Sequence, residues 1–279
     1  MKVVVTGSEG YIGSVLCPLL RKVGMDVVAL DIMTGWDASK DPMPLDGVHA
    51  VVPLAAVVGV PACKKDPARA REVIVGSAER LAEQLDGRGC VYLTTDSGYA
   101  PSNAAREDDP FYPRSVYARL KHEAAETLRA KGAAVFRLAS LFGESPSMRD
   151  DLLAHFFVRS ALTGTMPDVS APDTRRAFVH VNDVCLAVVN TLASWPWTPR
   201  GRIFNLASND RMTKRDLAEQ VMLATNAKWP AGGSTFDVEQ WEEDNRDFWL
   251  ESTWGQPVLR RLSAEIPKLV EYYRQKVKK

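Results

Sequence analysis

Tyr117 and Lys121 lie four residues apart, and on a helix positions i and i+4 share a face. A phenol and an ammonium at that spacing can point into one cleft. The cation then favours the phenolate and lowers a pKa that is ordinarily about 10. A tyrosine tuned in this way can take a proton from a hydroxyl while a hydride leaves the same carbon. A Tyr-x-x-x-Lys pair is common on surface helices by chance, so its weight comes from its surroundings. Upstream, Val91-Tyr92-Leu93-Thr94-Thr95-Asp96-Ser97 is an apolar run ending in polar residues. Its hydroxyls, on Thr94, Thr95 and Ser97, are the expected partners of such a tyrosine.

A hydride needs an acceptor, and the first thirty-one residues are built to hold one. Met1 to Val5 is a short apolar strand, and Gly7, Gly10 and Gly13 follow in a G-x-x-G-x-x-G spacing. Ile12 to Val23 reads as a helix, Val27 to Leu30 as a second strand, and Asp31 closes it. Strand, glycine turn, helix, strand, acid is the order of a dinucleotide-binding βαβ unit. Gly7 permits the tight turn, Gly10 lets the backbone approach a pyrophosphate, and Gly13 lets the helix pack close to the strand. Tyr11 and Ile12 fall at the helix N-terminus, where free N–H groups and the dipole favour phosphate. The Asp31 carboxylate can accept hydrogen bonds from ribose hydroxyls and would repel a 2′-phosphate, so the expected cofactor is NAD rather than NADP. Lys121 can then also hold the nicotinamide ribose.

The elements that must position these groups follow a strand–helix rhythm. Gly47 to Leu54 reads as a buried strand whose end, Leu54-Ala55-Ala56, is small enough to lie against a cofactor. Pro67 to Leu85 reads as a helix, Cys90 to Thr95 as the fourth strand, Asp96 to Tyr112 as a loop and Ser115 to Lys131 as the Tyr117 helix. Ala133 to Leu138 is a fifth strand. Ile32 to Asp46 is too short for a further strand and helix. The expectation is an α/β protein with a doubly wound parallel sheet of the Rossmann type over residues 1–145. A smaller, interwoven α/β substrate domain is expected over 146–279, with 177–206 able to return to the sheet. In that second part Thr213 reads as the N-cap of a helix to Leu223, with Asp216 at the capping-box position.

Composition narrows the partners. The 279 residues are 46% hydrophobic, and 35 basic residues balance 35 acidic ones without a basic block, so no nucleic-acid partner is expected. The chain starts directly on a strand, and its longest apolar run, near Val48 to Val60, is too short for a bilayer. A cytoplasmic protein with no membrane contact is expected. Cys17, Cys63, Cys90 and Cys185 are scattered singly, without metal-ligand spacing, so no metal is expected. His122, beside Lys121, belongs to a different helix face, and His155 and His180 read as packing or hydrogen-bonding residues.

Taken together these stretches resemble the extended short-chain dehydrogenases/reductases, specifically the NAD-dependent nucleotide-sugar epimerases and dehydratases. Thr94 to Tyr99 is similar to that family's strand end, where two hydroxyl residues precede V-Y-G. The resemblance implies that Thr95 hydrogen-bonds the reacting sugar oxygen. Leu54-Ala55-Ala56 is similar to its H-L-A-A, Arg137 to Gly143 to its R-x-x-N-x-x-G, and Arg176 to Asp183 to its R-x-F-x-x-V-x-D. Arg246 falls where the family places an arginine on the nucleotide diphosphate, and Arg176 is a second phosphate candidate, since a fork of N–H donors suits phosphate oxygens. Pro53 replaces the family's histidine, and its helix asparagine falls near Ile74 or Val75. Ser140 replaces the asparagine of R-x-x-N as a shorter donor. Thr95-Asp96 resembles the T-D-E of the 4,6-dehydratases, with Ser97 in place of the Glu, so Asp96 and Ser97 are further substrate candidates. The resemblance implies a nucleoside-diphosphate sugar as substrate, epimerisation or dehydration through a transient 4-keto sugar, and a homodimer through a four-helix interface that includes the Tyr117 helix. Two other readings stay open: a 4-keto-sugar reductase or sugar/uronate dehydrogenase with net redox, and a non-catalytic NAD(H)-binding protein.

Overall fold

A computed structural model describes residues 1–166, 169, 171–196, 200–208, 210, 212–227, 248–250 and 260–277. Its centre is a six-stranded sheet. The strands are β1 (Lys2–Thr6), β2 (Asp26–Leu30), β3 (Ala50–Pro53), β4 (Gly89–Thr95), β5 (Ala134–Leu138) and β6 (Ile203–Leu206). They lie in the order β2-β1-β3-β4-β5-β6, and every neighbouring pair is parallel. The chain therefore winds outward one way from β1 to β2 and the other way from β3 to β6. The crevice between the carboxyl ends of β1 and β3 is the switch point where open parallel sheets take ligands.

The alternation of the pleat sorts the strand residues onto two faces. Val3, Val5, Leu93, Phe136 and Leu138 pack on one side with α1 (Gly13–Lys22) and with Val184 and Val188 of a later helix. Val4, Val51, Tyr92 and Val135 pack on the other. That second face is covered by α2 (Val60–Lys65), α3 (Pro67–Arg71), α4 (Ser77–Gln84) and α5 (Val116–Ala130). Strands buried on both faces need continuous apolar runs, which is why Val3–Val5 of β1 and Ala134–Phe136 of β5 are consecutive apolar residues.

The helix expected over 67–85 is interrupted by a π turn at Glu72–Gly76. Three consecutive apolar residues, Val73, Ile74 and Val75, are all buried there, and the wider turn lets them face inward together. The loop expected over 96–112 contains a short strand, Ser102–Ala105, paired with Phe248–Leu250. The single helix Val60–Lys65 was not legible; Gly59, at φ +91°, starts it.

Beyond β5 the chain forms a second core around α6 (Leu153–Thr163), α8 (Lys214–Thr225) and α9 (Leu262–Val277), with Phe157, Leu217, Val221 and Leu269 at its centre. Between them α7 (Val181–Ala193) packs on α1, and β6 pairs with β5, so α7 and β6 lie in the layers of the main sheet. Thr213 caps α8 through a capping box with Asp216. No described helix is long and apolar enough to cross a membrane.

Candidate active site

The switch-point crevice opens into a cleft of about 540 Å³. Its floor is the glycine turn after β1. Gly7 sits at φ +67°, and a Cβ there would lie 2.8 Å from the Leu54–Ala55 backbone. A Cβ on Gly13 would lie 2.1 Å from the Gly7 carbonyl oxygen, so α1 starts against the turn only because position 13 has no side chain. The Ala55 N–H donates to the Thr6 hydroxyl at 3.1 Å, tying the end of β3 to the turn. Tyr11 donates its hydroxyl to the Gly143 carbonyl at 2.7 Å, and Ser145 donates to the Tyr11 carbonyl at 2.7 Å. The Tyr11 side chain thus pins the turn to the far side of the cleft.

At one end Asp31 is buried, with one carboxylate oxygen accepting from Glu9 N–H at 3.0 Å and the other from Met33 N–H at 2.9 Å. Two backbone donors hold the carboxylate in place while it lines the cleft. Beside it Arg69 makes two hydrogen bonds to Asp37, at 2.8 and 2.9 Å, and Ser39 N–H also donates to Asp37. These hydrogen bonds hold the Asp37 carboxyl well below the usual carboxylate range. Trp36, Asp37 and Arg69 form a wall that the sequence did not reveal.

At the other end stand Thr95, Ser97, Tyr117, Lys121 and Ser140. Ser115 caps α5 by accepting from Ala118 N–H at 3.1 Å, which fixes where the helix starts and so which face carries Tyr117 and Lys121. Thr94 donates to the Lys121 carbonyl at 3.2 Å, joining the end of β4 to that helix. Thr95 accepts from Ser97 N–H at 3.1 Å, leaving its own O–H proton available to the cleft.

The electrostatics correct one expectation. Burial holds the Lys121 amine down at about 7, with Nζ 4.1 Å from the centre of the Tyr92 ring. Burial also pushes the Tyr117 phenol up to about 12. The nearby charge that opposes this rise is Arg149. Desolvation therefore outweighs the expected lowering by the lysine in the ligand-free cleft. Arg149 and Asp151, on the loop between β5 and α6, line the same cleft and had no signal in the sequence.

Other candidates stand elsewhere. Asp96 is buried and off the cleft wall, because its carbonyl closes a tight turn by accepting from Gly98 and Tyr99 N–H. Arg176 is buried in a two-residue strand paired with Met212–Thr213, also away from the wall. Arg246 lies outside the described residues. Arg137 donates to the Tyr99 hydroxyl at 2.6 Å in the interior, so these two residues of matched motifs bond to each other rather than line the cleft. Of the interrupted helix, Arg69 and Val73 reach the cleft, while Ile74 and Val75, near which the family resemblance placed an asparagine, are buried in the core. His155 bridges Gly143 N–H and the Arg149 carbonyl, and His180 caps α7. Among the described residues no group of His, Cys, Asp and Glu could hold a metal ion.

The residues present fit a dinucleotide. The turn has glycine where a Cβ would fill the cradle, a helix N-terminus faces the cleft, and a fixed carboxylate lies at the end of β2.

Residues 3–207 match the NAD dependent epimerase/dehydratase family. That is well over half of the chain, which belongs to this family. It is 26% identical over 276 residues to a UDP-glucose 4-epimerase of Corynebacterium glutamicum, covering 83% of this chain and 82% of that protein. It is 28% identical over 156 residues to the spore coat polysaccharide biosynthesis protein SpsK of Bacillus subtilis, covering 52% of this chain. The match spans 55% of that relative's length. Among solved structures, the UDP-glucose 4-epimerase of Thermotoga maritima with UDP-glucose superposes with a TM-score of 0.86 at 19% identity, covering 99% of this chain and 100% of that one. A dTDP-glucose 4,6-dehydratase of Streptomyces venezuelae with NAD bound superposes with a TM-score of 0.85 at 22% identity, covering 100% and 98%. These likenesses establish the shared fold.

Proposed function

On the premise of that family membership, we propose that the chain is an NAD-dependent epimerase or dehydratase acting on a nucleoside-diphosphate sugar through a transient 4-keto sugar. The observation that carries the reading is that Thr95, Tyr117 and Lys121 line the same cleft as Asp31 and the glycine turn, with Thr95 at the end of β4 and Asp31 just after β2, on opposite sides of β1 and β3. Gly7, Gly10, Ile12 and Gly13 would cradle the pyrophosphate, and Asp31 the adenosine ribose. Leu54, Ala55, Ala56 and Thr94 would line the path to the nicotinamide. Bound NAD would supply the hydride acceptor and donor. Tyr117 takes the proton from the sugar C4 hydroxyl and later returns it. Thr95 donates a hydrogen bond to the same oxygen, and Lys121 holds the nicotinamide ribose. Ser97 and Ser140 are donors for the sugar and diphosphate. Epimerisation then requires the keto sugar to turn over and take the hydride on its other face. The reading includes a homodimer through α5 and its neighbour α4, whose exposed positions include Glu79, Glu83, Arg119 and Glu123.

The purified protein, NAD and a panel of nucleotide sugars, followed by NADH absorbance and sugar proton NMR together, test this. A new sugar without net NADH supports the reading. Net NADH accumulation moves the chain to the sugar dehydrogenase class, and silence from every sugar contradicts turnover of the panel.

Cofactor choice follows from Asp31. Replacing Asp31 by Asn removes the charge but keeps an oxygen to accept one backbone N–H. NAD affinity is expected to fall about tenfold and the preference over NADP to shrink by more, since one unit charge is worth of order 1–2 kcal/mol here. Calorimetric titration with both cofactors checks it, and an unchanged preference would remove Asp31 from the account.

A further inference from the structure

The chain between β2 and β3 holds one short helical turn, Ile32–Thr34, and no strand. A loop of this kind is fixed by its turns and side chains rather than by a ladder. It starts on Asp31, whose carbonyl accepts from Thr34 and Trp36 N–H at 3.1 and 2.9 Å. It then doubles back, with Lys40 and Asp41 N–H donating to the Asp37 carbonyl at 2.9 and 2.8 Å. Trp36, Asp37 and Ala38 of this loop line the cleft beside Asp31.

The loop leaves β2, and α3 comes after β3; these two strands flank β1 and its glycine turn. Arg69 of α3 joins the two sides. Its guanidinium donates to both Asp37 carboxylate oxygens, at 2.9 and 2.8 Å, and also to the Ser39 hydroxyl. Ser39 donates its own N–H and O–H to the same carboxylate, at 2.9 and 2.8 Å. Asp66 caps α3 by accepting Arg69 N–H at 2.9 Å, which fixes where the arginine leaves the helix. Arg80 adds a second tie, donating to the Ala38 carbonyl at 2.8 Å. Donors of its own chain occupy the Asp37 carboxylate, so this group builds the wall.

We propose that Asp37, Ser39 and Arg69 form a clasp that holds the loop across the Asp31 end of the cleft and slows the departure of bound NAD(H). They act through the loop and are positioning residues. The purpose is chemical. A hydride taken from a sugar and returned to the same molecule is lost if NADH leaves in between, whereas net redox requires NADH to leave at every turnover. That purpose rests on the proposed function, but the clasp itself is tested with cofactor alone.

The test is the dissociation rate of NADH, followed by its fluorescence as the loaded protein is mixed with excess NAD. Asp37→Asn and Arg69→Met are each expected to speed release by about fivefold, the upper range for a partly exposed ion pair of good geometry. The double variant is expected to release no faster than either single one, because each breaks the same clasp. Arg71→Met is the control. It removes a two-point pair with Glu123, at 2.7 and 2.8 Å, from the same helix but off the cleft wall. Its release rate is expected to match the parent's, which a general loosening of α3 would not allow. Parent-like release from Asp37→Asn and Arg69→Met, or equal acceleration by Arg71→Met, would overturn the proposal alone. A parent that binds no NADH would overturn the clasp and the cofactor assignment together. Faster release from both clasp variants, with a parent that accumulates NADH from a sugar, would uphold the clasp and contradict only the proposed function.

Discussion

Replacing Tyr117 by Phe is expected to lower turnover by about 10³-fold, the share of a positioned general acid–base group, while NAD affinity stays within a few-fold. The ring packs against the α-helical side of the sheet, and phenylalanine preserves that packing, so the fold is kept. The change removes the hydroxyl proposed to carry the proton and nothing else. Steady-state kinetics with the substrate found in the sugar panel and a parallel NAD titration measure both halves. Turnover within a few-fold of the parent would remove Tyr117 from the chemistry.

The second large effect concerns Lys121, where stability and activity move in opposite directions. Its amine titrates at about 7 in the fold against an ordinary 10.5. Below pH 7 both folded and unfolded chains carry the proton, and folding bears the whole cost of burying the ammonium. Between 7 and 10.5 the unfolded chain binds more protons, so stability rises with pH through that window. Lys121→Met fills the same space without a charge to desolvate. It is expected to stabilise the cofactor-free protein by about 2–4 kcal/mol at pH 6, with the gain shrinking toward pH 10. On the proposed reading it is expected to abolish most turnover, because the nicotinamide ribose would lose its donor. Urea unfolding at pH 6 and pH 9.5 tests the first statement, and a loss of stability at pH 6 would refute the buried-amine account.

What could be read from the sequence was what depends on local geometry. The glycine turn was legible because backbone approach forbids a Cβ at Gly7 and Gly13, and no other residue meets that demand. Tyr117 and Lys121 were legible because a helix repeats its faces, and Ser115 marks the start of that helix. The Tyr117 pKa was not, because it depends on how deeply packing buries both groups, which spacing along one helix does not encode. Matched motifs located the ends of strands but not the direction of each side chain. Thr95 lines the cleft while Asp96, one residue on, turns inward to close a tight turn. Arg137, within a matched motif, bonds Tyr99 and lies over the Phe111 ring instead of lining the cleft. Arg149 was missed because it sits in a loop with no periodicity; only the bridging His155 and the surrounding cleft reveal its place. The wall of Trp36, Asp37 and Arg69 likewise joins residues more than thirty positions apart across a loop and a helix.

The central claim is that hydride leaves C4 of a nucleotide sugar and returns to the same molecule. A nucleotide sugar carrying deuterium at C4 tests it most directly, with the product followed by mass spectrometry and NMR. The account predicts a changed sugar that retains the deuterium, at C4 after epimerisation or on the exocyclic C6 after loss of water across C5–C6, with no label accumulating in the NADH pool. Deuterium transferred to NADH and kept there would contradict it and make the chain a net oxidoreductase.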